Sequence, residues 1–181
     1  MKVMDRRQIK TQSAIKTSFL TLLENDGFDE ITVKGIAEEA DIGRKTFYLH
    51  YIDKFELLDT IVDSYLLELK EICEYKKDID LSKGSIIWFE FFEENKAFFA
   101  SLFKSTTTFS FRRKLLTFIK DDLEARTGTA LDEMDEVKKK VTLKFLSMAV
   151  VGVVESFLLD ELDADMEDVA VQVGELVYHN L

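Results

Sequence analysis

Arg44, Lys45 and Thr46 place two cations and a hydroxyl side by side, directly after Gly43. The apolar spacing around them predicts that they open a helix. A helix N-terminus carries partial positive charge and favours acidic side chains. Cations at such a place imply an anion from outside the chain, and a phosphate is the anion that helix N–H groups bind. Thr32 and Lys34 upstream, and Tyr48, His50 and Lys54 downstream, add further donors within a short span. The flexible cations suit a base edge such as that of guanine. The remaining donors suit phosphate oxygens, which fix register rather than sequence.

Three elements must hold these groups. Val33, Ile36, Ala37 and Ala40 recur at i, i+3, i+4 and i+7, one apolar stripe on a helix of two turns. Thr32 precedes that helix and can cap it. Asp41 tolerates the left-handed conformation that ends many helices, and Ile42 can then fold back on Ala37. A second helix is expected over Arg44–Tyr51, with Phe47 and Tyr51 inward and Tyr48 and His50 outward. Asp53 followed by Glu56 reads as the capping box of the next helix. Together these form a helix-turn-helix whose second helix would enter a DNA major groove.

Other combinations carry less. His50 and Asp53 make at most two ligands, too few for a metal site. Cys73 reads as a small core residue, and His179 lies at the frayed terminus. No phosphate loop, Ser/His/Asp order or carboxylate pair stands out. No catalytic residue, metal or cofactor is therefore expected.

Composition bounds the fold. Among 181 residues there is no Pro and only 7 Gly, so helix breakers are scarce and an all-α chain is expected. One Cys excludes an intramolecular disulfide framework and suits a reducing cytoplasm. No apolar run follows Met1-Lys2, and no uninterrupted apolar stretch approaches a membrane span, so neither a signal peptide nor a membrane partner is expected. The net charge of −11 is uneven: residues 1–54 sum to zero, and residues 55–181 carry the whole excess. Cations gather near the proposed DNA face, and local placement governs phosphate binding. The acidic remainder either orients the approach to DNA or simply keeps the chain soluble.

Residues 1–7 read as a polar arm in which Arg6 and Arg7 either reach DNA or hang free. A first helix over Gln8–Asp26 carries Ile15, Phe19, Leu22 and Leu23 inward and ends at Gly27. A fourth helix from Asp53 to about Tyr75 joins the DNA-binding part to the rest. Lys76–Lys83 reads as a polar break, with Ser82 capping a fifth helix to Glu94. A sixth follows over Ala97–Phe103, a loop over Ser105–Thr108, and a seventh over Phe109–Arg126. The eighth spans Asp132–Leu159, and Asp165 caps a ninth. Ala149, Gly152, Ser156, Ala170, Val173, Gly174 and Val177 form a stripe of small and branched residues on the last two helices. Glycine inside a helix costs about 1 kcal/mol against alanine. Close helix packing, within the chain or across a two-fold interface, is the natural reason for it.

From Ile15 to Leu58 the chain resembles the TetR family of bacterial transcription regulators. The likeness is densest at Thr32-Val33, Ile36-Ala37, Thr46-Phe47-Tyr48, His50-Tyr51 and Asp53-Lys54. It departs at Asp41, where many relatives have Gly, and at Gly43, where many have Ser or Thr. The resemblance implies a helix-turn-helix domain over 1–54 and a regulatory and dimerisation domain over 55–181, about nine helices in all. It implies a homodimer through the last two helices, binding a (pseudo)palindromic double-stranded DNA operator. It also implies a small-molecule effector among the later helices, with Trp88, Phe92, Phe118 and Phe145 as candidate walls. Those aromatics read equally as plain core. A ligand-relieved repressor is the expected role. The alternatives are an activator or co-regulator with a protein partner, and a scaffold that has lost DNA binding.

Overall fold

The computed structural model describes residues 6–75, 81–132 and 134–181. Of the expected arm over 1–7, residues 1–5 lie outside the described residues, and Arg6 and Arg7 instead open the first helix. Of the expected break over Lys76–Lys83, residues 76–80 lie outside them, and the fifth helix already starts at Leu81, so Ser82 lies within it rather than before it. Among the described residues there are nine α-helices, one 3-10 turn and no strand. The expected larger α-helical domain follows an N-terminal helix-turn-helix.

Helix α1 (Arg6–Asp26) starts two residues before its expected boundary. It buries Ile15, Phe19 and Leu23 and ends at Gly27, whose φ of 79° only glycine adopts freely. A 3-10 turn (Phe28–Glu30) then leads into α2 (Val33–Glu39) and α3 (Arg44–Tyr48). Helix α4 (Lys54–Tyr75) is long and buries Leu57, Leu58, Ile61, Val62, Leu69 and Cys73. Helices α5 (Leu81–Glu94) and α6 (Lys96–Lys104) supply much of an aromatic cluster centred on Phe99. Its ring meets Phe92 at 4.9 Å, Phe98 at 5.0 Å, Tyr65 at 5.5 Å and Phe111 at 5.8 Å. Each such ring pair is worth about 0.5–1.5 kcal/mol beyond its buried area. Much of the chain's phenylalanine is therefore packed core.

Helix α7 (Phe109–Asp132) runs past Arg126, beyond the end the sequence suggested. It lies parallel to α4. Ser110 donates to Asp59 at 3.0 Å, Lys114 pairs with Asp63 at 2.7 Å, and Arg126 donates to the Cys73 carbonyl at 3.3 Å. Helix α8 (Glu136–Leu158) begins at Glu136 rather than Asp132 and is capped by Asp135, with the carboxylate accepting from the N–H groups of Val137 and Lys138. It ends with Asp160 at φ 57°, while the N–H of Glu161 reaches the Ser156 carbonyl at 2.9 Å. That is a Schellman stop without glycine. By length and composition alone α8 is apolar enough to cross a membrane. Its geometry accounts for this differently: Leu143, Leu146, Val150 and Val154 are buried, while Val137, Val141, Phe145 and Met148 are exposed on the other side. Helix α9 (Met166–His179) lies along α5, and the buried Ser85 hydroxyl donates to the Ala170 carbonyl at 2.7 Å.

Candidate nucleic-acid interface and the surfaces behind it

The turn between α2 and α3 is built as the sequence implied. The Thr32 hydroxyl accepts from the Gly35 N–H at 3.0 Å and starts α2. Asp41 takes φ 51°, the N–H of Ile42 reaches the Ala37 carbonyl at 2.9 Å, and that of Asp41 reaches Glu38 at 3.2 Å. Both bonds of a Schellman motif are thus present. Phe47 and Tyr51 anchor α3 in the core.

Helix α3 is shorter than expected, ending at Tyr48 rather than Tyr51. Beyond it the N–H groups of Leu49 and His50 turn back to Thr46 and Phe47. Arg44, Lys45 and Tyr48 are exposed and Thr46 is half-buried. His50 sits half-buried in the turn, not on an outward helix face. Lys34 is exposed and 3.7 Å from Glu38, one helical turn on. Leu49, 82% exposed, and Ile52, 76% exposed, also stand on this surface. Their apolar character at positions off the core stripe was the available signal for them, and spacing arguments passed over it.

Lys54 departs from its expected place. Its ammonium donates to the carbonyls of Phe28 at 3.0 Å and Asp29 at 3.2 Å and stands 4.6 Å over the Phe28 ring. Burial pushes its pKa below the ordinary lysine value, with Asp29 and Glu30 opposing the shift. The side chain thus closes the end of the 3-10 turn instead of reaching outward as a phosphate anchor. Asp53 caps α4 by accepting from the N–H groups of Phe55 and Glu56 at 2.8 and 2.9 Å.

The same 3-10 turn docks on the C-terminal domain. The Asp29 carboxylate accepts from Thr107 at 2.6 Å and from Ser105 at 2.8 Å, both in the α6–α7 loop. These two hydroxyls hold its pKa below the ordinary value. Ser101 on α6 donates to the Leu23 carbonyl of α1 at 3.3 Å.

The C-terminal candidates separate into inner and outer groups. Trp88 and Phe92 are buried in the core, and Phe118 is half-buried between α4 and α7. Phe145 stands apart from them on the outer side of α8, 64% exposed. Ala149 and Gly152 are also exposed, and Ser156 is half-buried. A carbon added at Gly152 would meet nothing within 4 Å. Ala170, Val173, Gly174 and Val177 are buried within the chain, in the helix that packs on α5. The small residues at 170 and 174 thus pack within the protomer, the intramolecular of the two reasons open for them. An apolar groove of about 200 Å³ opens between α8 and α9, lined by Phe145, Ala149, Val153, Leu176 and neighbouring residues.

A short helix aimed outward by an N-terminal three-helix core, ahead of a larger helical domain, defines a helix-turn-helix DNA-binding protein. The description "Bacterial regulatory proteins, tetR family" matches residues 20–61, and "Transcriptional regulator C-terminal region" of the same family matches residues 80–179, more than half the chain. The chain belongs to the TetR family of transcriptional regulators, and it is a DNA-binding regulator of transcription.

The HTH-type transcriptional regulator YxbF of Bacillus subtilis is 38% identical over 69 residues, 38% of this chain and 18% of that protein. The dhaKLM operon transcriptional activator DhaS of Lactococcus lactis is 26% identical over 98 residues, 54% of this chain and 51% of that one. The matched stretch thus spans about half or less of these relatives' lengths. Among solved structures, NalD of Pseudomonas aeruginosa, a repressor of a multidrug efflux pump, superposes with a TM-score of 0.74 at 17% identity, covering 97% of this chain and 98% of that one. That likeness speaks to the fold alone.

Proposed function

We propose that this regulator acts as a homodimer on a (pseudo)palindromic operator and represses transcription until a small-molecule effector releases it. Arg44, Lys45 and Thr46 read base edges, while Thr32, Lys34, Tyr48 and His50 touch phosphates. The observation that carries the reading is the exposed apolar side of α8. Val137, Val141, Phe145 and Met148 face outward beside Ala149, Gly152 and the α8–α9 groove. A contiguous apolar surface of this kind marks a binding face. A second copy meeting it on a two-fold axis covers both faces at once. Two recognition helices then read two half-sites, which one five-residue helix cannot replace.

The test combines sedimentation with a gel shift on the DNA upstream of the protein's own gene. A dimer that shifts this DNA far better than random DNA of equal length supports the reading. A monomer with no preference overturns it. The likeness to an activator favours a second reading, in which a protein partner rather than a small molecule works through residues 55–181. A transcription assay in which the purified protein raises output would favour that one.

A further inference from the structure

The outward side of the recognition helix carries a group that neither phosphate anchoring nor hydrogen bonding to bases employs. Leu49 is 82% exposed and follows directly on α3. Its backbone keeps helical geometry, with φ −77° and ψ −16°, and its N–H reaches the Thr46 carbonyl at 3.2 Å. The helical register therefore runs one residue past Tyr48. At 3.6 residues per turn, Lys45 and Leu49 stand roughly 160° to either side of Phe47. Phe47 is fully buried, so these two side chains point farthest from the core. They are four residues apart in sequence and hence neighbours on one helix face. Arg44 and Tyr48, both exposed and also four apart, form the adjoining row. The chain then turns back at His50 and buries Tyr51, so Leu49 is the final side chain of this face.

Most of the Leu49 side chain stays in contact with water, so it contributes little burial to the fold. It can neither pair with a phosphate nor hydrogen-bond a base edge. The major groove of DNA presents one apolar group on its base edges, the C5 methyl of thymine. Contact between that methyl and a leucine takes apolar surface of both partners out of water. The neighbouring cations cannot perform this reading, because Arg44 and Lys45 carry only donors and a methyl group accepts none.

We propose that Leu49 reads the C5 methyl group of a thymine in the operator. The proposal rests on the reading in which Arg44, Lys45 and Thr46 lie against base edges, and it adds an apolar determinant to that polar set.

The test removes the methyl group and nothing else. The wild-type full-length chain first selects its operator from a random-sequence DNA pool. Each thymine of that operator is then replaced in turn by uracil, which lacks only the methyl, and affinity is measured by competition gel shift. At one or more positions uracil should weaken wild-type binding about fourfold, the worth of one buried methyl group. In Leu49→Ala the same uracil should change affinity by less than about twofold, because the partner of the methyl is gone. Leu49→Met keeps an apolar contact and should keep the uracil penalty. Leu49 is exposed, so both variants should match wild type in circular dichroism and melting. A side chain acting only through stability, or against the sugar and phosphate backbone, would weaken thymine and uracil operators alike. Absence of any uracil penalty in wild type, or equal penalties in wild type and Leu49→Ala at every position, overturns the proposal. A pool that yields no preferred sequence overturns the base reading by α3 and the role of Leu49 with it. A preferred sequence without the methyl dependence removes only Leu49.

Discussion

Lys54 holds two carbonyls of a turn more than twenty residues away, and that contact decides what its loss would do. Hydrogen bonds to a charged donor contribute about 1.5–3 kcal/mol. Lys54→Met should lower stability by that order in denaturant unfolding, and the salt slope of DNA binding should stay the same. A slope reduced by about one would return Lys54 to the phosphates. Lys45 is the opposite case, exposed and without an ion pair among the described residues. Lys45→Ala should lose about 1–3 kcal/mol at one base pair of each half-site in a competition gel shift. Equal loss on random DNA would make it a backbone contact. Asp29 supplies a pH signature. The hydroxyls of Thr107 and Ser105 depress its folded pKa below the ordinary 3.8. Its contribution is present above that value and disappears as pH falls through the lowered one. Asp29→Asn should therefore be less stable than wild type near neutrality, with the gap closing below about pH 4 in acid unfolding curves.

The elements were legible wherever a local signal existed. Thr32, Gly27 and the Asp53–Glu56 pair cap or stop helices through groups within four residues, and the sequence shows such groups directly. The stripe of Ile15, Phe19 and Leu23 marks its own inner face for the same reason. What escaped was set by distant contacts. Helix α3 stops at Tyr48 because Leu49 and His50 turn back, a backbone choice that no side chain announces. For Ala170 and Gly174 the choice between packing within the chain and across an interface stayed open, because nothing in α9 reveals that α5, some eighty residues earlier, lies across it. That Phe145 stands apart from Trp88 and Phe92 escaped for the mirror-image reason: an exposed phenylalanine has the same periodicity as a buried one. The α2–α3 turn yields its own prediction. Asp41 sits in a conformation that costs a bulky L-residue about 1–2 kcal/mol. Asp41→Val should lose that much stability and weaken operator binding further, by moving α3 off its axis, as melting curves and gel shifts would show.

At the scale of the whole molecule, Gly152 separates intramolecular from intermolecular causes. Nothing in its own chain lies within reach of an added Cβ. Gly152→Leu should therefore leave the isolated fold intact, even gaining up to about 1 kcal/mol of helix propensity. In the proposed dimer the same side chain is inserted twice, at an overpacking cost of about 1–3 kcal/mol each. Sedimentation should shift toward monomer, and operator binding should fall more than nonspecific binding. A dimer as tight as wild type would move the two-fold axis elsewhere on α8.

Helix α4 runs unbroken from Lys54, beneath the recognition surface, to the turn that contains Cys73. At 1.5 Å per residue its 22 residues measure about 33 Å. For a rod of that length, a tilt of about 5° about one end displaces the other by about 3 Å. The spacing of successive bases along a DNA strand is about 3.4 Å. A small tilt of α4 about its Cys73 end is thus geared, through the rod alone, to roughly one base step at the groove.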